Sequence, residues 1–389
     1  MSPQAFALVV IGGGPAGLAA ARSYREAGGG GEVAIVTDEY RMPYSRPPLT
    51  KELLRGEMAE DELPIEDESW LAEQRIALVS GRAVALDPER REVTLSGGRA
   101  LGYVNCVLAT GAEPMRLPVP GADDPGVRVL RSLDHLRELQ HRLVDGAEAV
   151  VIGSGFIGCE IAASLRARGH PVTLVSDEPA PNCRRLGSAA GRELAGWLSS
   201  DGVTLLLDTP VDAIERRDGR LEVLVGSHRL SAAVVVMAAG VAPRGELLDG
   251  RVTLEAGAIP VDSAMRSEVP GVLAAGDVCM ARNEAAGRRL RVEHWGDALG
   301  QGAIAGRTAA GQEASWSDVP GFWSTIGTRT LKYAAWGDGY DDVRFEPAGG
   351  GAFTAWYGRD GRVAGVLAHD CDESYERGQA LIAEGAPWA

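Results

Sequence analysis

The sequence predicts an α/β fold in which a βαβ unit occurs twice, completed by a small α+β domain at the C-terminal end. Three observations carry this. A short apolar run at residues 6–11 (FALVVI) stops on glycine and gives way to helical spacing, and the same pattern returns at residues 149–152 (AVVI). The 51 glycines, against 5% aromatic residues, suit tight strand-to-helix turns better than a β-sandwich. From Trp323 onward the composition changes, with aromatic residues alternating with polar ones.

In the first unit, residues 6–11 form a strand and residues 16–27 space Leu18, Ala21 and Tyr24 along a helix. Gly28 to Gly31 stop that helix, and residues 33–37 form the second strand. Residues 93–98 (VTLSGG) read as a hairpin, and residues 104–108 as a buried strand running into Thr110-Gly111. The second unit repeats the order: strand 149–152, Gly153, helix 156–167, strand 172–175. Residues 221–225 pair back across Asp218-Gly219, and strand 234–237 closes on Ala239-Gly240. A third segment opens at Val261-Asp262 and carries a buried strand from residue 272, with Asp277 at its C-terminal end. Beyond it, Asp360-Gly361 joins residues 353–357 to 363–367 in a small antiparallel sheet, and residues 373–384 form a helix. No low-complexity linker separates these pieces, so interleaved domains are expected.

Length and charge bound the function. At ~100–200 residues per domain the chain holds two or three domains. The 39 Lys+Arg against 54 Asp+Glu leave a net charge of −15, which disfavours nucleic-acid binding. Cys106, Cys159, Cys183, Cys279 and Cys371 form no CxxC pair and no zinc spacing, and the six His show no paired ligand spacing. No metal is expected. Residues 1–21 carry no charge, but no basic segment precedes them and Gly12, Gly13, Gly14 and Gly17 interrupt the apolar run. A cytoplasmic protein without membrane insertion is therefore expected.

Gly12-Gly-Gly14-Pro-Ala-Gly17 is a G-x-G-x-x-G placed after a strand and opening a helix. There Gly12 permits the tight turn, Gly14 lets a pyrophosphate approach the backbone, and Gly17 lets helix and strand pack closely. The acid expected ~20 positions on to accept from a ribose hydroxyl is Asp38. Gly153-Ser-Gly155-Phe-Ile-Gly158 repeats the motif in the same context. Both units are thus Rossmann-like, and two dinucleotides in one chain imply electron traffic between a nicotinamide and a second redox cofactor, most simply FAD. A second motif that has lost its ligand is the competing reading. Glu160, two residues past Gly158 and one turn into the second helix, is aimed at the nicotinamide more than at the ribose, or else serves the helix dipole.

These stretches resemble the FAD-dependent pyridine nucleotide reductases of the ferredoxin-reductase type, which feed oxygenases and cytochromes P450 and count the apoptosis-inducing-factor group as kin. The likeness is carried by VVIGGGPAGLAAA at 9–21, PYSRPPLTKELL at 43–54, LATGAEP at 108–114, VVIGSGFIGCEIAASL at 150–165, AAGVAP at 238–243, LAAGDV at 273–278, RVEHWGDALGQG at 291–302 and PGFWS at 320–324. It covers essentially the whole chain. It implies an FAD-binding domain made of residues 1–113 and 245–318, an NAD(P)H-binding domain at 114–244, and a C-terminal α+β domain at 319–389. It further implies that FAD is held by Gly12, Gly14, Ala16, Gly17, Asp38, Arg46, Lys51, Val84, Thr110, Gly111, Arg131, Gly276, Asp277, Glu293, His294 and Trp295. The coenzyme falls to Gly153, Gly155, Phe156, Ile157, Gly158, Glu160, Asp177 and Gly240. Within that set the resemblance pairs Lys51 with Glu160 at the hydride-transfer site, and it leaves His294 open between a cofactor contact and a packed residue. Relatives that use a flavin-adjacent thiol carry Cys where this chain has Tyr44-Ser45, which argues against peroxidase or disulfide-reductase chemistry.

The implied reaction passes a hydride from NAD(P)H to FAD and then electrons to a [2Fe–2S] ferredoxin. The alternatives are a diaphorase or NADH oxidase using quinone or oxygen, and a redox-sensing binding protein. Asp177 and Glu178 favour NADH over NADPH, although Arg184 and Arg185 offer a site for a 2′-phosphate. Docking an acidic ferredoxin on so acidic a chain calls for a local basic patch, for which Arg288, Arg289 and Arg291, with Arg329 and Lys332, are the candidates. Trp323 is then either the aromatic bridge to the partner or a core residue of the small sheet.

Overall fold

The computed structural model describes residues 4–388 and bears out the α/β architecture. In the first unit, strand Gln4–Ile11 lies between Val33–Thr37 and Ala100–Leu108, all parallel, with Ile76–Ser80 at one edge. The antiparallel strands Glu92–Leu95 and Ala83–Asp87 extend the other side. Strand Val272–Ala274 joins this sheet by pairing in parallel with Ala100–Leu108, so a segment from late in the chain completes a sheet begun at its start. Helix Pro15–Glu26 carries proline at its start, where the missing N–H costs nothing.

Late and early segments also meet helix to helix. Helix Trp295–Ala309 crosses Pro15–Glu26 so closely that a Cβ on Gly302 would lie 2.2 Å from the Ala16 carbonyl oxygen, and one on Gly306 2.2 Å from that of Ala20. Only glycine allows that backbone-to-backbone approach.

The second unit sets Ala149–Ile152 between Val172–Val175 and Val234–Met237, flanked by Thr204–Leu206 and Val127–Arg128. Its excursion is a three-stranded meander, Ala213–Arg217, Arg220–Val225 and His228–Ala232. The C-terminal piece is a five-stranded antiparallel sheet in the order Gly321–Ile326, Arg329–Ala335, Arg362–His369, Phe353–Arg359, Asp342–Pro347, packed against helix Asp372–Ala383.

The second core crosses these divisions. Leu49, Leu53 and Leu54, from the segment just after the first unit, are buried with Ile161 and Leu165 of helix Phe156–Ala167 and with Ile326, Leu331 and Phe353 of the C-terminal sheet. This packing draws Thr50 and Lys51 down to the junction of all three parts. No helix among the described residues is long and apolar enough to cross a membrane.

Candidate functional site

Both glycine loops have the shape their sequence demands. Gly12 has φ +124° and Gly153 φ +103°, where a Cβ would strike the carbonyl oxygens of Ala109 (2.1 Å) and Ala238 (2.4 Å). Cβ atoms on Gly17 and Gly158 would lie 2.0 Å from the carbonyl oxygens of Gly12 and Gly153. The middle glycines differ: a Cβ on Gly14 or Gly155 meets nothing within 4 Å. Each loop therefore holds open ground in front of a helix N-terminus, which fits a pyrophosphate at both places. Ala16 is the second residue of the first helix and touches Gly276, where an added Cβ would come within 3.0 Å of the Ala16 Cβ.

At the junction of the three parts sits a buried ion pair. Lys51 Nζ donates to Glu160 Oε2 at 2.8 Å, with Lys51 7% and Glu160 3% exposed. Thr50 Oγ1 also donates to Oε2 and accepts from Lys51 Nζ at 3.2 Å. Ser324 Oγ, from the C-terminal sheet, donates to the other oxygen, Oε1, at 2.8 Å. Buried charges persist only when paired and hydrogen-bonded, and this carboxylate has a partner on each oxygen. Lysine here is a pointed choice: Lys51 and Lys332 are the only lysines in the chain, and 39 − 2 = 37 of its cations are arginine. A compact ammonium presents a point charge where a planar guanidinium would not.

Around the first loop the structure builds a polar rim. Arg46 pairs with Glu39 and donates to the Arg131 carbonyl at 2.8 Å, and Arg131 pairs with Asp277. Tyr44 Oη donates to Glu39 Oε2 at 2.5 Å, and burial pushes its hydroxyl up to about 12. Asp38 stands beside this group, 3.5 Å from the Arg244 guanidinium. Thr110 Oγ1 donates to the Arg244 carbonyl at 2.7 Å, and Gly111 turns with φ +70°. Val84 lies at the irregularity in its strand and is 54% exposed. His294 immediately precedes helix Trp295–Ala309 without a side-chain capping bond, Trp295 is the helix's first residue, and His294 Nδ1 lies 3.0 Å from Asp297. Glu293 pairs with Arg291. Sequence reasoning missed Thr50, Ser324, Glu39 and Tyr44 as members of this site; the first two stand inside RPPLTK and PGFWS and were available there.

At the second loop, Phe156 opens its helix with its ring edge-on to Phe322, centroids 4.8 Å apart, and Phe322 packs on His294 at 4.5 Å. Ile157 is 44% exposed and Gly240 turns at φ +100°. Ser176 Oγ, just after strand Val172–Val175, bonds Ser154 Oγ of the second loop at 2.6 Å. Arg184 is paired with Asp177 at 2.8 Å and lies 3.8 Å from Glu178, so it is not free for a 2′-phosphate as the sequence had allowed.

The basic patch expected for docking is corrected by the structure. Arg288 pairs with Asp338, Arg289 with Glu255, Arg329 with Asp201 and Lys332 with Asp372. With 54 carboxylates in the chain, each of these cations has found one, and they form no block of unpaired positive charge. Trp323 is 51% exposed and directly opposite Lys332 in the strand register, so it is a surface residue and not a core one.

Two dinucleotide cradles on Rossmann-like units, meeting at a buried ion pair under a small antiparallel cap, define a two-dinucleotide oxidoreductase. Residues 6–302 match the profile of the pyridine nucleotide-disulphide oxidoreductases. The chain belongs to that family, whose cofactors are FAD and NAD(P)H. It is 32% identical to the ferredoxin–NAD(P)(+) reductase of a Sphingomonas species, over 98% of this chain and 94% of that one. It is 30% identical to mouse (Mus musculus) apoptosis-inducing factor 3 over 97% of this chain, and spans 63% of that protein's length. Among solved structures, it superposes on the ferredoxin reductase for the CYP199A2 system of Rhodopseudomonas palustris with a TM-score of 0.92 at 30% identity, over 98% and 96% of the two chains. The putidaredoxin reductase of a covalent complex with putidaredoxin gives a TM-score of 0.92 at 26% identity, over 100% and 94%.

Proposed function

We propose that this chain is an NAD(P)H-dependent flavoprotein reductase that delivers electrons to a ferredoxin-type iron–sulfur protein serving an oxygenase or P450. FAD, held at the first glycine loop, supplies the chemistry that accepts a hydride and releases electrons singly. The observation that carries the reading is the buried Lys51–Glu160 pair where the two units meet, which places a fixed positive charge where negative charge develops on hydride arrival. The chain's own work is positioning. The glycine loops would hold the two pyrophosphates, Asp277, Arg131, Arg46 and Asp38 would hold the first dinucleotide, and Phe156 would cover the coenzyme face.

All five cysteines are free, so no disulfide stands ready to take the electrons internally. Position 44–45 is Tyr-Ser, and burial raises the Cys159 thiol well above its ordinary range and pushes Cys279 up to about 12. The electrons therefore go outward. Likeness to a ferredoxin reductase over nearly the full length of both chains supports a ferredoxin as the acceptor. A cytoplasmic location belongs to this reading and is tested by cell fractionation.

Stopped-flow reoxidation decides among acceptors. After reduction with one equivalent of NADH, rapid reoxidation by a ferredoxin and slow reoxidation by air is the expected result. Rapid reoxidation by oxygen or a quinone would favour an oxidase or diaphorase. Slow reoxidation by every acceptor would favour the redox-sensing role suggested by the apoptosis-inducing-factor likeness.

A further inference from the structure

We propose that Ser324 is a positioning residue of the hydride-transfer site, so that the C-terminal domain, and not only the two dinucleotide units, sets the aim of the Lys51 ammonium. The proposal deepens the reductase reading and rests on it.

The argument starts from the two oxygens of Glu160. Oε2 is occupied by Lys51 Nζ and Thr50 Oγ1, both delivered by the segment following the first unit. Oε1 is held by Ser324 Oγ at 2.8 Å. Glu160 is 3% exposed and Ser324 1%, so water is not at hand to replace a lost donor. With Ser324 in place, the carboxylate plane is fixed at both ends and Oε2 has one direction in which to hold Lys51. Without it, the carboxylate is free to turn about its last torsion, a broad and shallow one, and the ammonium follows.

Strand alternation explains why this residue and not its neighbours does so. In Gly321–Ile326, Phe322, Ser324 and Ile326 share one face. Phe322 meets Phe156 at the start of the coenzyme helix, Ser324 meets Glu160 one turn further on, and Ile326 is buried in the core beneath. Trp323 and Thr325 point the other way, Trp323 exposed and Thr325 bonded across to Thr330 at 3.0 Å. The strand thus lies along the coenzyme helix with its polar contact at the buried charge.

The test compares Ser324→Ala with Thr325→Ala in the FAD-loaded protein. Ser324→Ala should keep its FAD and bind NADH with a dissociation constant within about twofold of the parent, read from long-wavelength charge-transfer absorbance. Its limiting rate of flavin reduction should fall about tenfold, as for loss of one hydrogen bond to a charged group. Thr325→Ala should shift the thermal midpoint without changing that rate. Ser324→Thr, which keeps the hydroxyl, should recover most of the rate, and Ser324→Cys, with a weaker donor of similar size, should fall between. That pair decides the matter if Ser324→Ala does not fold. An unchanged limiting rate in Ser324→Ala, a loss equal to that of Thr325→Ala, or a Cys variant as fast as the parent would overturn the proposal alone. A parent protein whose flavin neither NADH nor NADPH reduces would overturn the reading and the proposal together.

Discussion

Replacing Lys51 with methionine removes the ammonium while keeping an unbranched side chain in place. The partner left behind is a carboxylate 3% exposed, and stripping one member from a buried pair costs about 3–5 kcal/mol. Here Thr50 and Ser324 still donate to Glu160, so the lower end, about 3 kcal/mol, is expected. Glu160→Gln in the same background restores neutrality, presenting an acceptor oxygen to one hydroxyl and an amide N–H to the other, which then accepts. The double variant should lie within about 1 kcal/mol of the parent, giving a coupling of about 2 kcal/mol or more in a double-mutant cycle. Urea unfolding of the four proteins, with FAD saturating throughout, measures it. Flavin reduction by NADH is followed in parallel: the double variant should regain stability but not rate, because neither partner charge remains to serve the hydride-transfer step. Single-variant losses that add to within about 0.5 kcal/mol would refute the argument that the pair's cost lies in the stranded charge.

Gly14→Val should give soluble, colourless protein, because its Cβ meets no protein atom within 4 Å and its side chain fills the open ground before the first helix; FAD content by absorbance checks this. Asp177→Ala should release Arg184 from its closer partner, leaving Glu178 at 3.8 Å, and raise kcat/KM for NADPH by about tenfold while lowering that for NADH, measured by steady-state kinetics. Burial lowers the pKa of His135 and His170 below the unfolded value of about 6.5, so the unfolded chain takes up more protons and stability is lost as pH falls below about 6.5. Thermal midpoints should drop between pH 7.5 and 5.5, and drop less in His135→Gln. Among carbodiimide adducts that join a lysine of this protein to a carboxylate of an acidic ferredoxin, the site should be Lys332, since Lys51 is buried and arginine does not react; Lys332→Arg should abolish that lysine adduct on peptide mapping.

The glycine loops were legible because two positions in each, Gly12 and Gly17, Gly153 and Gly158, are dictated by backbone contact, and the middle glycine of each faces the open ground. Strands Val33–Thr37, Ala149–Ile152, Val172–Val175 and Val234–Met237 fall where continuous apolar runs placed them. Helix Trp295–Ala309 escaped periodicity because it presents glycine and alanine to its neighbour where a bulky apolar stripe would be expected. Helix Cys183–Ser200 is broken at Gly187, with φ +81°, which hides its period. The ion pairs of Arg288, Arg289 and Arg184 were illegible for another reason: their partners lie elsewhere in the chain or around a turn, and a list of charges carries no geometry. Ser324 joins Glu160 across 164 positions, which no spacing rule spans.

The contact of helix Pro15–Glu26 with Trp295–Ala309 bears on how the protein is born. Strand Ala100–Leu108 waits for Val272–Ala274, and the first helix waits for the last glycines of its mate. Between residue 108 and residue 309 a ribosome adds about 200 residues, which takes about 10–40 s at ~5–20 residues per second. Within that interval the second unit acquires every strand of its own sheet. The order of maturation is therefore inverted relative to the order of synthesis: the second unit closes first, and the first unit, though begun at the N-terminus, closes after it. During the gap an unpaired apolar strand edge and the alanine face of the first helix stand uncovered, the kind of surface that favours aggregation.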